Sequence, residues 1–302
     1  MFGAGASIGT IPVVKDFLNG AKELLDSIAD KNENKLKENL EFIITELPAY
    51  ASIDTLIRKL HIQKNPLEKE LNATLIAIIH YLQLNNPLDK RYDLFLGNLI
   101  TIDNGKLELP RNVNFISWNY DRLFEFSLSI LLNSDLNEVR QYVNIFNNYE
   151  TIENKNKPYL IKLNGSAGAF IDSQYKKDSK EQIIHEVISN YTGTIYKAIP
   201  DSMIQFAWDE NENTKKSRLK AIEITNATQI LVVVGYSFPT FNRKIDKELL
   251  KDYHKFKKII LQNTKDNIDS VTDRLMALVP ALEPNKLVKI TDEFEFHMPI
   301  EI

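Results

Sequence analysis

Asn119 and Asp121 place an amide and a carboxylate two residues apart in the segment Ser117-Trp118-Asn119-Tyr120-Asp121, between an apolar run and a helical pattern. At a strand-to-helix turn an amide can orient a water or a sugar hydroxyl, and a carboxylate can accept a proton. Both residue types also cap helices, so the segment alone supports either role. Near the start, Gly3-Ala4-Gly5-Ala6-Ser7 precedes a long helical pattern. Glycines there allow backbone to approach a pyrophosphate, with helix N–H donors and the Ser7 hydroxyl beside it; a small-residue turn is the plainer reading. Gly235 and Ser237, in Val234-Gly235-Tyr236-Ser237-Phe238-Pro239, suit a ribose or phosphate, or an ordinary turn in which Pro239 opens the next helix. Lys162-Leu163-Asn164-Gly165-Ser166 closes a further strand.

The elements that must position these residues follow from periodicity. Apolar residues at helical spacing predict helices over about 13–30, 34–47, 52–61, 67–84 and 91–99, with Pro48, Pro66 and Pro87 as breakers. Strands are expected at Val113–Trp118, Tyr142–Phe146, Tyr159–Leu163, Met203–Trp208, Ile230–Val234 and Lys258–Leu261. Helices are expected at Asp121–Leu132, Glu181–Ser189, Lys215–Thr225, about 242–253, and Asp266–Leu278. Alternating strands and helices predict an α/β fold, a mostly parallel sheet with helices on both faces, and the 13–105 block reads as a helical inserted module. In such sheets ligands bind outside the carboxyl ends of the strands. The first strand is the weak point. Only Met1 and Phe2 precede the glycines where about five residues are expected, so that strand is nearly absent or the chain starts too late for it.

The 302 residues correspond to about two domains, or one large one with an insertion. Hydrophobic and charged fractions of 43% and 26% are those of a globular protein and exclude disordered, collagen-like and coiled-coil compositions. A net charge of −4 and short lysine runs give no basic face for nucleic acid. The absence of cysteine excludes disulfides, zinc ribbons, iron–sulfur clusters and a thiol nucleophile. No run approaches 18 apolar residues and no signal peptide is visible, which predicts a cytoplasmic protein without a membrane span. Ten glycines stand where average usage gives roughly 21, and Gly3, Gly5, Gly9, Gly165, Gly168 and Gly235 fall in three short segments, which marks those segments as places of tight backbone.

Taken in order, GAGAS, then NYD about 115 residues on, then KLNGS and VGYSFP, the motifs resemble those of the sirtuin-like NAD-consuming proteins. The likeness is to the prokaryotic branch often found in antiphage defence, and it spans residues 3 to 239. It implies a Rossmann-like NAD-binding domain formed by 1–12 and 106–302, with 13–105 as the insertion. It implies that Gly3, Ala4, Gly5 and Ser7 lie against the NAD diphosphate, that Pro12 belongs to the flexible cofactor loop, and that Gly235 and Ser237 hold the adenosine ribose. Asn119 matches the catalytic amide and Asp121 its acidic partner. Asn164, Gly165 and Ser166 match a motif in which the family carries a catalytic histidine before the glycine; this chain has Asn164 there.

The implied reaction is cleavage of the nicotinamide–ribose bond of NAD, with NAD as substrate and no metal. Without cysteines the zinc module of deacylating sirtuins cannot form, which disfavours deacylation. Asn164 cannot serve as a base near pH 7, so a hydrolase either manages by transition-state stabilisation or recruits another group, with His185, Asp121 and Asp172 as candidates, or the protein is a catalytically weak NAD or ADP-ribose sensor. The remaining histidines are His61, His80, His254 and His297. The short tail after VGYSFP leaves no room for a large sensor, so the trigger is expected from a homo-oligomer or a separate sensing chain.

Overall fold

A computed structural model of the chain describes residues 1–12, 14–103, 105–146, 153–168, 179–196 and 204–301. Five helices come first: α1 (Val14–Ser27), α2 (Asn34–Glu46), α3 (Ile53–Ile62), α4 (Leu67–Asn85) and α5 (Lys90–Leu99). Caps place two of the boundaries. Ser52 accepts the Thr55 N–H to open α3, and Asp89 accepts the Arg91 N–H to open α5. A small antiparallel hairpin, β1 (Thr101–Asp103) and β2 (Lys106–Glu108), follows and was not legible in the periodicity.

The α/β part comprises β3 (Phe115–Ser117), α6 (Leu123–Leu132), α7 (Leu136–Val139), β4 (Asn144–Phe146), β5 (Tyr159–Lys162), α8 (Lys180–Tyr196), α9 (Glu212–Ala227), β6 (Ile230–Val234), α10 (Arg243–Leu249), β7 (Lys258–Gln262), α11 (Ile268–Leu278) and β8 (Leu287–Ile290). The pairs β3–β5, β4–β5, β6–β7 and β7–β8 are all parallel. The two three-stranded halves are joined by the first residues of the chain. Phe2 bridges Ser117 on one side and Val234 on the other, both parallel. Its N–H donates to the Ile116 carbonyl at 2.8 Å, and the Gly3 N–H donates to the Val234 carbonyl at 3.0 Å. Met1–Gly3 is therefore the central strand, and the order across the sheet is β4-β5-β3-(Met1–Gly3)-β6-β7-β8. The fold is α/β and Rossmann-like, as expected.

Alternation along the strands separates two cores. Phe2, Phe115, Leu160 and Val234 face a layer built from α1–α6 and α8, while Ile116, Ile161, Leu231 and Val233 face α10 and α11. The helical layer draws on two stretches of chain, because α8 packs along α4. Met203–Trp208 is not a strand in its described part. Ile204 makes a single antiparallel bridge to Gly165 before the chain turns. The expected 242–253 helix is divided into a 3-10 turn, α10 and a second 3-10 turn, and β8 escaped the sequence reading. Among the described residues no helix is long and apolar enough to cross a membrane.

Candidate active site

Four loops leave the carboxyl ends of neighbouring parallel strands: 4–12 after the central strand, 118–122 after β3, 163–168 after β5 and 235–239 after β6. They meet the α2–α3 segment around a cavity of about 550 Å³, within the usual range for small-molecule sites. Asn119, Asp121 and Asn164 all line it, as do Ala4, Ser7 and Pro12 from the first loop and Gly235 and Ser237 from the last. Gly3, Gly5, Gly165 and Ser166 are not among the lining residues.

The glycines of the first loop have a packing role. A Cβ on Gly3 would lie 2.5 Å from the Tyr236 Cα, and one on Gly5 would lie 2.9 Å from the Gly235 Cα. The Gly5 N–H donates to the Gly235 carbonyl at 2.9 Å. The two loops thus press backbone against backbone, and the N–H groups of Gly3, Gly5 and Gly235 are engaged by protein carbonyls. From the other side, Arg91 Nη2 donates to the Gly5 and Ala6 carbonyls at 3.3 and 3.4 Å while pairing with Asp89. Asn86 Nδ2 donates to the Thr10 carbonyl at 2.8 Å. The stretch from Asn86 to Arg91, ending in the first turn of α5, therefore clamps the first loop.

Asn119 is held by its own amide. Nδ2 donates to the Gly3 carbonyl and to Ser7 Oγ, each at 2.9 Å. A carbonyl can only accept, so the atom facing Gly3 is the nitrogen, and Oδ1 is the amide atom that accepts no hydrogen bond from the described residues. Asn164 repeats the pattern: Nδ2 donates to the Trp118 carbonyl at 3.0 Å, and its buried Oδ1 has no partner. Two further lining residues, Trp118 through Nε1 and Asn242 through Oδ1, also bury polar atoms without partners. Unpaired buried polar groups are rare in folded proteins; three of them belong to residues lining the cavity, each with almost no accessible surface of its own.

Asp121 is buried, with Oδ1 accepting the Leu123 N–H at 3.1 Å, which holds the turn open until α6 starts at Leu123. Burial pushes its carboxyl above the usual range, opposed by the positive charge of Lys162 and the Ser7 hydroxyl. Lys162 donates to the Asp121 carbonyl and lies 4.0 Å from the buried Glu125. Beneath the cavity, Tyr236 stacks on Trp118 with ring centroids 5.5 Å apart, and its hydroxyl meets Asp246.

Other residues join the site without having been singled out from sequence: Asp54 from the first turn of α3, Tyr120, Asn242 and Arg274. Tyr120 lies inside the NYD motif yet reads as a spacer. Asp54 follows Ser52 and is indistinguishable in sequence from the acidic residues common in first helical turns. Arg274 is the one cationic side chain among the described lining residues, and it donates to the Ser237 carbonyl at 3.0 Å. None of the five histidines lines the cavity. His185 is exposed on α8, and His80 is buried against Glu186 at 3.1 Å. Asp172 lies outside the described residues. Among the described residues no group of three His, Cys, Asp or Glu side chains is placed to hold a metal ion. No family model matches the chain, and comparisons with curated proteins and with solved structures give no match.

Proposed function

We propose that this chain binds NAD in the cavity and hydrolyses its nicotinamide–ribose bond. The observation that carries this reading is the convergence of four strand-end loops on one cavity whose lining includes Asn119, Asp121 and Asn164. The Asn119 Oδ1, which accepts no hydrogen bond from the described residues, favours a ligand that donates one, as a ribose hydroxyl does. Arg274 beside Ser237 supplies positive charge for an anionic part of that ligand. The carboxylates Asp54 and Asp121 supply negative charge for the cationic pyridinium and for the ribose as it gains oxocarbenium character.

In the reaction the electron pair of the C1′–N bond passes to the ring nitrogen and nicotinamide departs neutral. Water supplies the new C1′ oxygen, and one proton is released with ADP-ribose. Asn119, locked by Gly3 and Ser7, presents Oδ1 to a ribose hydroxyl or to the attacking water. Because this geometry exists before the substrate arrives, it needs no reorganisation during the reaction. Depletion of NAD in antiphage defence, triggered by self-association or by a sensing chain, is the biological role we propose.

A second reading has its own support. Asn164 offers no base, and none of the histidines lines the cavity, which favours a protein that binds NAD or ADP-ribose as a signal. Chromatography of NAD incubated with the purified protein separates the two. Hydrolysis predicts nicotinamide and ADP-ribose in equal amounts, and Asn119→Ala lowers their release by about 10²–10³-fold. Thermal stabilisation by NAD without product, with turnover gained in Asn164→His, selects the sensor. An Asn119→Ala protein with undiminished release rejects the active-site assignment.

A further inference from the structure

Attack of water at C1′ is accelerated by a group that takes the water's proton. Neither Asn119 nor Asn164 can do so near neutral pH, and no histidine lines the cavity. Among the described residues the lining carboxylates are Asp121 and Asp54. Asp121 is already committed: Oδ1 holds the Leu123 N–H, and although burial raises its carboxyl, the Lys162 charge beside it opposes that rise. Asp54 is different. Its Oδ1 accepts the Tyr120 hydroxyl at 2.6 Å, and its Oδ2 accepts no hydrogen bond from another described residue. It is delivered by the Ser52-capped first turn of α3, so its position is fixed by a helix start. No lysine or arginine is among the groups that shift its ionisation. The titratable groups facing it are Tyr120, Asp121 across the cavity, and Asp209 close to Tyr120.

We propose that Asp54 is the general base of the hydrolysis and that Tyr120 is its positioning residue. The assignment rests on the NAD-hydrolase reading above. As water oxygen bonds to C1′, Asp54 Oδ2 takes one water proton, and the C1′–N electron pair leaves with nicotinamide. The proton then passes to solvent. Burial raises the Asp54 carboxyl above its ordinary range, which brings its basicity nearer to working pH, while the Tyr120 hydrogen bond restrains that rise. Tyr120 stays protonated, because burial and the Asp54 charge push its phenol well above the usual value.

The test is nicotinamide release from NAD against pH by the full chain and its Asp54→Asn, Asp54→Ala, Asp121→Asn and Tyr120→Phe variants, each with its melting temperature and its shift on adding NAD. Asp54→Asn is expected to lower kcat by about 10²–10⁴-fold with KM changed only a few-fold, and to lose the acid limb of the profile. Tyr120→Phe is expected to move that limb to higher pH, since the bond it removes favours the carboxylate. Azide needs no deprotonation, so it should restore nicotinamide release to Asp54→Ala and yield the ADP-ribosyl azide. A wild-type chain that releases nicotinamide alongside an Asp54→Asn variant with unchanged kcat overturns this assignment alone. So does a folded, NAD-stabilised Asp54→Ala protein that azide fails to rescue. A wild-type chain without release overturns the hydrolase reading, and the base assignment falls with it.

Discussion

Asp246 shows how strongly the environment under the cavity acts on one residue. Its carboxylate accepts the Tyr236 hydroxyl at 2.9 and 3.0 Å, and burial pushes its pKa up to about 8. An unfolded aspartate titrates near about 3.9. Between those values the folded state holds the extra proton, so the contribution of Asp246 to stability is fully present below about pH 4 and is lost as pH rises through about 8. The slope is at most about 1.4 kcal/mol per pH unit, or about 2 °C in Tm for a chain of this size. The buried Met1 amino group, pushed down to about 5, acts with the opposite sign over part of the same window. The diagnostic quantity is therefore a difference. From about pH 5 to about pH 8, the Tm of Asp246→Asn minus that of the wild type should grow by about 2 °C per unit in calorimetry. A constant difference would show that Asp246 ionises normally.

At the scale of elements, the site depends on how two strand-end loops interlock. Gly235 has φ of +60°, and a Cβ there would lie 2.4 Å from the Ala6 nitrogen and 2.5 Å from the Gly5 carbonyl carbon. Neither neighbour is the end of a flexible side chain, so the loops must separate to admit a methyl group. The left-handed conformation alone costs a non-glycine residue about 1–2 kcal/mol. Gly235→Ala should lower stability by at least about 2 kcal/mol in urea unfolding and weaken NAD-induced thermal stabilisation. Gly97, exposed in α5 with nothing within 4 Å of an added Cβ, is the control. Gly97→Ala should be stabilising by about 0.5–1 kcal/mol, as for glycine inside an exposed helix. Equal effects at the two positions would rule out interlocking as the reason for Gly235.

For the whole molecule, the decisive residue is Phe2. Its backbone joins the two halves of the sheet, and its ring packs on Tyr92, Phe95 and Phe296 at centroid distances of 5.8, 5.9 and 5.6 Å. One residue therefore ties the sheet, the clamp helix α5 and the C-terminal segment together. Phe2→Ala should cost about 3–5 kcal/mol, the range for a buried aromatic, measured by the urea midpoint. A loss under about 1 kcal/mol would mean that the ring adds little to a junction the backbone already makes.

The sequence by itself determined the α/β class, most strands and helices, and the four segments that meet at the cavity. Those features are local: a buried run such as Ile230–Val234 or a stripe such as that of α4 carries its own period. Asn119, Asp121 and Asn164 were legible because they sit at the ends of such runs. The tertiary structure decided what local pattern does not encode. A three-residue central strand has no period to detect, yet hydrogen bonds on both sides make it one. The first-loop glycines read in sequence as either the approach to a pyrophosphate or a small-residue turn, and only the fold shows that the Cβ positions of Gly3 and Gly5 lie against Tyr236 and Gly235, about 230 residues away in sequence. Asp54 reached the cavity because the first turn of α3 meets Tyr120 in the loop after β3, and a helix-start aspartate reads the same in sequence whether it faces solvent or a cavity. Long-range pairing turned turn residues into a site, because burial and backbone contact depend on which distant segments meet.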